Sequence, residues 1–107
     1  MGALLLAVLV VGACAAGPTV APSLPAAFVD GVVTRVEGKS PTDVTAFTLH
    51  TEDGRLVDFS VGRLDLSGKA FPAGHLRDHL ATAQPVRVIY LAGGDTPVAI
   101  RLEDAPP

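Results

Sequence analysis

Alternation of apolar and polar positions is clearest from Ala46 to Val61, which reads AFTLHTEDGRLVDFSV. Phe47, Leu49 and Thr51 share one parity, and Val57, Phe59 and Val61 share one parity on the return. A period of two predicts a pair of half-buried strands. Asp53-Gly54 between them predicts a hairpin closed by a type I′ turn, which needs positive φ at both central residues. A lone hairpin with one apolar face is not stable in water, so the remaining segments must cover it.

The segment before the hairpin, Phe28 to Glu37, is rich in β-branched residues and predicts the first strand. Val33 and Val36 are three apart, which strict alternation cannot place on one face, so a bulge is expected around Thr34-Arg35. Gly31 inside this strand marks a sharp bend or a close backbone approach. Gly38 to Asp43 is a turn cluster. After Val61 the alternation dissolves into a connector, Gly62 to Pro72, with Leu64, Leu66 and Phe71 expected beneath it.

Ala73 to Gln84 predicts a short helix whose inward stripe is Leu76, Leu80 and Ala83, and Pro85 closes it. Val86 to Leu91 is the fourth strand, with Val86, Val88 and Tyr90 inward. Ala92 to Thr96 is a glycine-rich turn. Pro97 to Glu103 is the fifth strand, with Val98, Ile100 and Leu102 expected inward and Ala99, Arg101 and Glu103 outward. From Asp104 the chain is expected to fray, leaving residues 105–107 as a disordered tail.

The order β-β-β-α-β-β, with a bent first strand carrying glycine, resembles the OB-fold, a five-stranded Greek-key barrel. Gly31, Val33 and Val36 form a G-x-V-x-x-V pattern similar to the first strands of small bacterial OB-type domains. The resemblance covers Phe28 to Glu103. It implies a mainly β domain over residues 28–104, a five-stranded OB-like barrel with one short helix. An SH3-like barrel, or a split sheet under a covering helix, fits the same element order.

Every charged side chain lies at or after Asp30, so the N-terminus is compositionally separate. Ala3 to Val11 is an uninterrupted apolar run. It is too short to span a bilayer, which takes about 20 residues, but it suits the apolar region of a signal peptide. The following Val11-Gly12-Ala13-Cys14 resembles the lipobox of bacterial lipoproteins, although Met1-Gly2 offers no Lys or Arg ahead of it. That resemblance implies removal of a signal peptide over residues 1–13 and acylation of Cys14. The protein would then be lipid-anchored in the bacterial cell envelope, on the outer face of the cytoplasmic membrane or on the outer membrane. Several acyl chains on one residue anchor firmly where a single chain does so marginally. Ordinary cleavage around Ala13-Cys14-Ala15 and an uncleaved buried helix are the competing readings. Residues 14–27, punctuated by Pro18, Pro22 and Pro25, read as an extended tether.

Composition narrows the function classes. Cys14 is the single cysteine, so no internal disulfide staples a domain of this modest size. A net charge of −3 with interspersed signs and no tryptophan argues against nucleic acid. Ser23, Ser40, Ser60 and Ser67 lie in no G-x-S-x-G context, and Glu52-Asp53 and Gly93-Gly94 read as turn residues. The sequence therefore predicts a non-enzymatic binding or scaffolding module without a cofactor, its partner an envelope protein or a small ligand. In an OB barrel the ligand face belongs to strands two and three, which here offers Thr48, His50, Asp58 and Ser60.

The alternative is an envelope metal-binding protein. His75 and His79 stand at i, i+4 on one helix face and can share Zn²⁺ or Cu²⁺. A third ligand is needed. Asp78 projects about 100° away from His79 around the helix, and His50 is the remaining histidine. His79 also borders the Leu76/Leu80 stripe, which fits a half-buried residue hydrogen-bonded where helix meets barrel.

Overall fold

One long strand holds two neighbours. In the computed structural model, which describes residues 26–107, β1 (Ala26–Gly38) pairs antiparallel with two different strands along its length. Its first half, Ala26 to Gly31, lies against β4 (Val86–Leu91), and its second half, from Gly31, lies against β2 (Val44–Thr51). Gly31 stands in both registers, opposite Thr51 and opposite Val86. A β-carbon there would fall 2.4 Å from the His50 carbonyl oxygen, so the expected close approach is real. The expected bulge is also present. Val33 faces Leu49 and Arg35 faces Thr48, which leaves Thr34 as the extra residue and keeps Val33 and Val36 on the core side.

β2 returns through a hairpin into β3 (Leu56–Val61). β3 then meets β5 (Val98–Asp104) in a short parallel seam, Ser60 with Val98 and Val61 with Ala99. β5 runs antiparallel to β4, which returns to β1, and the sheet closes in the order β1-β2-β3-β5-β4. This is a mainly β, closed five-stranded OB-like barrel. Closure removes the free edges that would otherwise invite pairing between molecules. Ala26 and Ala27, expected in the tether, already pair with Leu91 and Tyr90. The expected signal peptide, Cys14 and the rest of the tether lie outside the described residues.

The barrel is filled by Phe47, Leu49, Phe59, Val86, Val88 and Leu102, each essentially inaccessible to solvent. Phe47 and Phe59 stack at 5.2 Å between ring centroids, and Tyr90 meets Phe59 edge-on at 5.3 Å.

Three local expectations need correction. The hairpin turn is not type I′. Thr51 N–H bonds to Arg55 O at 2.8 Å and Gly54 N–H to Thr51 O at 3.0 Å, making Glu52-Asp53-Gly54 a three-residue loop. Only Gly54 in it has positive φ, +87°, the pattern of a type I turn with a glycine bulge. Thr51 supplies the reason. It is 2% exposed, and its hydroxyl accepts from the Arg55 N–H at 3.0 Å while donating to the Asp53 carboxylate. The longer loop lets that carboxylate fold back onto the buried hydroxyl.

In β5 the buried residues are Ala99 and Leu102, not Val98, Ile100 and Leu102. Tyr90 faces Ala99 and Ile89 faces Arg101, so Ile100 is an extra, bulged residue. Its carbonyl instead accepts the Asp65 N–H at 2.9 Å, tying the connector to the bulge. In that connector Phe71 is buried and Leu64 packs on the core, but Leu66 is 56% exposed.

Candidate functional site

The β1–β2 connection, the helical segment and the end of β5 gather at one end of the barrel. The start of β1, the hairpin turn and the β4–β5 connection gather at the other.

At the helical end, a 3₁₀ turn at Ala73–His75 runs into α1 (Leu76–Thr82). The helix stops when Ala83 turns left-handed at φ +61°, its N–H held by His79 O at 2.8 Å. The expected stripe of Leu76, Leu80 and Ala83 is rotated. Leu76 and His79 are buried, whereas Leu80 is 39% exposed and Ala83 is exposed. Packing against the barrel mouth selects this face. Arg77 reaches Ser40 O at 3.3 Å, and Gly74 lies against Pro41 in the β1–β2 connection. His79 turns inward and stacks on Phe71, with ring centroids 5.1 Å apart.

A buried imidazole needs partners for both nitrogens, and His79 has them. Nδ1 lies 2.9 Å from Gln84 O, and Nε2 lies 2.9 Å from Asp104 Oδ1. A carbonyl oxygen only accepts, so Nδ1 carries the proton of this contact. His75 is oriented similarly, its Nδ1 2.9 Å from Asp78 Oδ2. The two imidazoles stand edge to face at 5.0 Å between centroids. His75, His79 and Asp104 each present a donor atom within 4.8 Å of the other two.

The structure thus brings His75 and His79 together and adds Asp104, where the sequence expected fraying. Ala105 N–H is bonded to Pro85 O at 3.1 Å, so the chain stays paired one residue past β5. His50 is exposed on β2 beside the hairpin turn, at the opposite end, and takes no part in the cluster.

The other end has a cleft of about 230 Å³ with Val29, Val57, Tyr90 and Pro97 in its wall and Arg55 on its rim. Arg55 also borders a neighbouring cleft of about 280 Å³ lined by Phe28, Asp30 and Glu52. Phe28 is 60% exposed at the start of β1, and Leu56 is 69% exposed at the start of β3. The four residues expected to form the ligand face lie on the outside of β2 and β3 and line neither cleft. Among them Thr48 donates its hydroxyl to Asp58 at 2.6 Å, while His50 and Asp58 are exposed and Ser60 is half-buried.

Arg87 braces the open end. It donates from Nε and a terminal nitrogen to both Asp30 oxygens at 2.8 and 2.9 Å, and lies 4.3 Å from the Phe28 ring centroid. These hydrogen bonds, with the positive charge beside them, hold the Asp30 carboxyl below its ordinary range against the opposing effect of burial. A carboxyl that resists protonation more in the native than in the unfolded state stabilises the fold above about pH 3.9. That contribution fades as pH falls through the lowered native value. The unfolding free energies of the parent and Asp30→Asn are therefore expected to differ by a constant amount from pH 7 to 5. The gap should narrow below pH 4. Parallel curves across the whole range would contradict the assignment.

No protein-family model matches the chain, and no curated protein does.

Proposed function

We propose that this chain is a non-enzymatic lipoprotein of the bacterial cell envelope that carries an OB-like binding module on a short tether. The observation behind the reading is the position of the lone cysteine. Cys14 follows Val11-Gly12-Ala13 and precedes Ala26, the first paired residue among those described, by a proline-punctuated stretch. Eleven residues, 15–25, lie between them.

The binding element of this reading is the open end of the barrel. Apolar Val29, Val57, Tyr90 and Pro97 face a cleft that Arg55 borders while ion-paired to Asp53 at 2.9 Å, and Phe28 stands exposed in the neighbouring cleft. An envelope protein segment or small ligand with an apolar body suits that lining. The sequence supports no catalytic set to set against this.

Intact mass spectrometry of the protein from its native membrane fraction tests the anchor. The expected species begins at Cys14 and carries acyl mass, and Cys14→Ser is expected to leave the membrane fraction. A parent chain that is unacylated, or equally soluble with and without Cys14, would overturn the reading.

A further inference from the structure

We propose that His75, His79 and Asp104 form a binding site for a divalent first-row transition cation of the kind imidazole favours, with Zn²⁺ as its probe. This goes beyond the anchor-and-cleft reading and does not depend on it, because the cluster lies at the opposite end of the barrel.

The argument starts from His79 and Asp104. His79 keeps its Nδ1–H on Gln84 O and holds Nε2 2.9 Å from Asp104 Oδ1, so an imidazole nitrogen and a carboxylate oxygen, both metal-ligating atoms, stand side by side. The third member points to the metal. His75 presents an imidazole to the same space, and its Nδ1 is held 2.9 Å from Asp78 Oδ2. Each imidazole is thus oriented through one nitrogen by an outer acceptor, as ligating histidines usually are.

Two imidazoles and one carboxylate form the donor set that zinc sites with an open position use. Imidazole also selects against Mg²⁺ and Ca²⁺, which take oxygen ligands. Donors about 2.1 Å from a tetrahedral metal lie roughly 3.4 Å apart, so to load the site the 2.9 Å contact of His79 with Asp104 must open slightly while His75, within 4.8 Å, adjusts to meet them. His75, whose side chain is 41% exposed, and Asp104, at 76%, are free to make that movement around the fixed His79, at 4%. The loaded site would clip the end of β5 to the helical segment.

The test uses the full chain in detergent micelles, with Cys14→Ser to remove the thiol. The chain's three histidines are followed by imaging their imidazole nitrogens in long-range ¹H–¹⁵N NMR spectra. With Zn²⁺, the His75 and His79 signals are expected to move and saturate at one equivalent while His50 stays in place. Mg²⁺ should move none of the three. Asp104→Asn, at an exposed position that leaves the backbone amide spectrum folded, should weaken Zn²⁺ binding at least about tenfold. The proposal is overturned if no histidine moves, if His50 moves together with the others, or if Asp104→Asn binds Zn²⁺ as tightly as the parent.

Discussion

Phe59→Ala is expected to remove most of the barrel's stability at 25 °C. Phe59 is 1% exposed, stacks on Phe47 at 5.2 Å and receives the edge of Tyr90 at 5.3 Å. Truncating a buried phenylalanine to alanine costs about 3–5 kcal/mol, because burial is lost and a cavity remains. A domain this small, with no disulfide to restrain the unfolded chain, sits near the lower end of the usual 5–15 kcal/mol stability range. Urea denaturation monitored by tyrosine fluorescence and circular dichroism gives the measurement. Phe59→Leu, which retains most of the volume, should keep a cooperative transition with a loss of about 1 kcal/mol. A loss below 1 kcal/mol for Phe59→Ala would mean that the aromatic stack is not the centre of the core.

Gly31→Ala is expected to have the next largest effect, about 3 kcal/mol, at the upper end of overpacking costs. The added methyl would sit 2.4 Å from the His50 carbonyl oxygen and 2.9 Å from Leu49 Cγ. The first obstacle is backbone, which no rotamer change relieves. It also lies where β1 passes from β4 to β2, so relief must come from separating strands that hold the barrel closed. Gly54→Ala is the control. Nothing lies within 4 Å of a β-carbon there, and its cost is the left-handed φ of +87°, about 1–2 kcal/mol. Hydrogen exchange separates the two: Gly31→Ala should speed exchange at amides along the β1–β2 ladder, and Gly54→Ala only around the turn. Equal losses for both variants would show that backbone freedom, not close approach, selects glycine at position 31.

The helical end shows how near a sequence reading can come to a site and still miss part of it. The spacing of His75 and His79 was enough to place two imidazoles on one helix face. Asp104 was not legible, and the reason is a single residue of register. Counting back from Leu91 opposite Val98 with unbroken pairing puts Glu103 opposite Val86. The bulge at Ile100 advances β5 by one and puts Asp104 there, beside Gln84 and the helix terminus. A bulge in β1 was readable because Val33 and Val36 contradict alternation. The bulge in β5 was hidden because Val98, Ile100 and Leu102 alternate perfectly.

The sequence alone determined what is local: the parity of Phe47, Leu49 and Thr51 against Val57, Phe59 and Val61, the strand order along the chain, the bulge around Thr34-Arg35, and the glycine where β1 turns. Each follows from whether neighbouring side chains can share a face. Tertiary structure decided the parallel seam of β3 with β5, the inward face of β5, and the turn of the helix that buries His79 in place of Leu80. Those depend on partners distant in sequence. A polar ring is admitted to the seam because Gln84, five residues along the chain, and Asp104 meet both its nitrogens, and it is closure of the barrel that brings Asp104 within 2.9 Å.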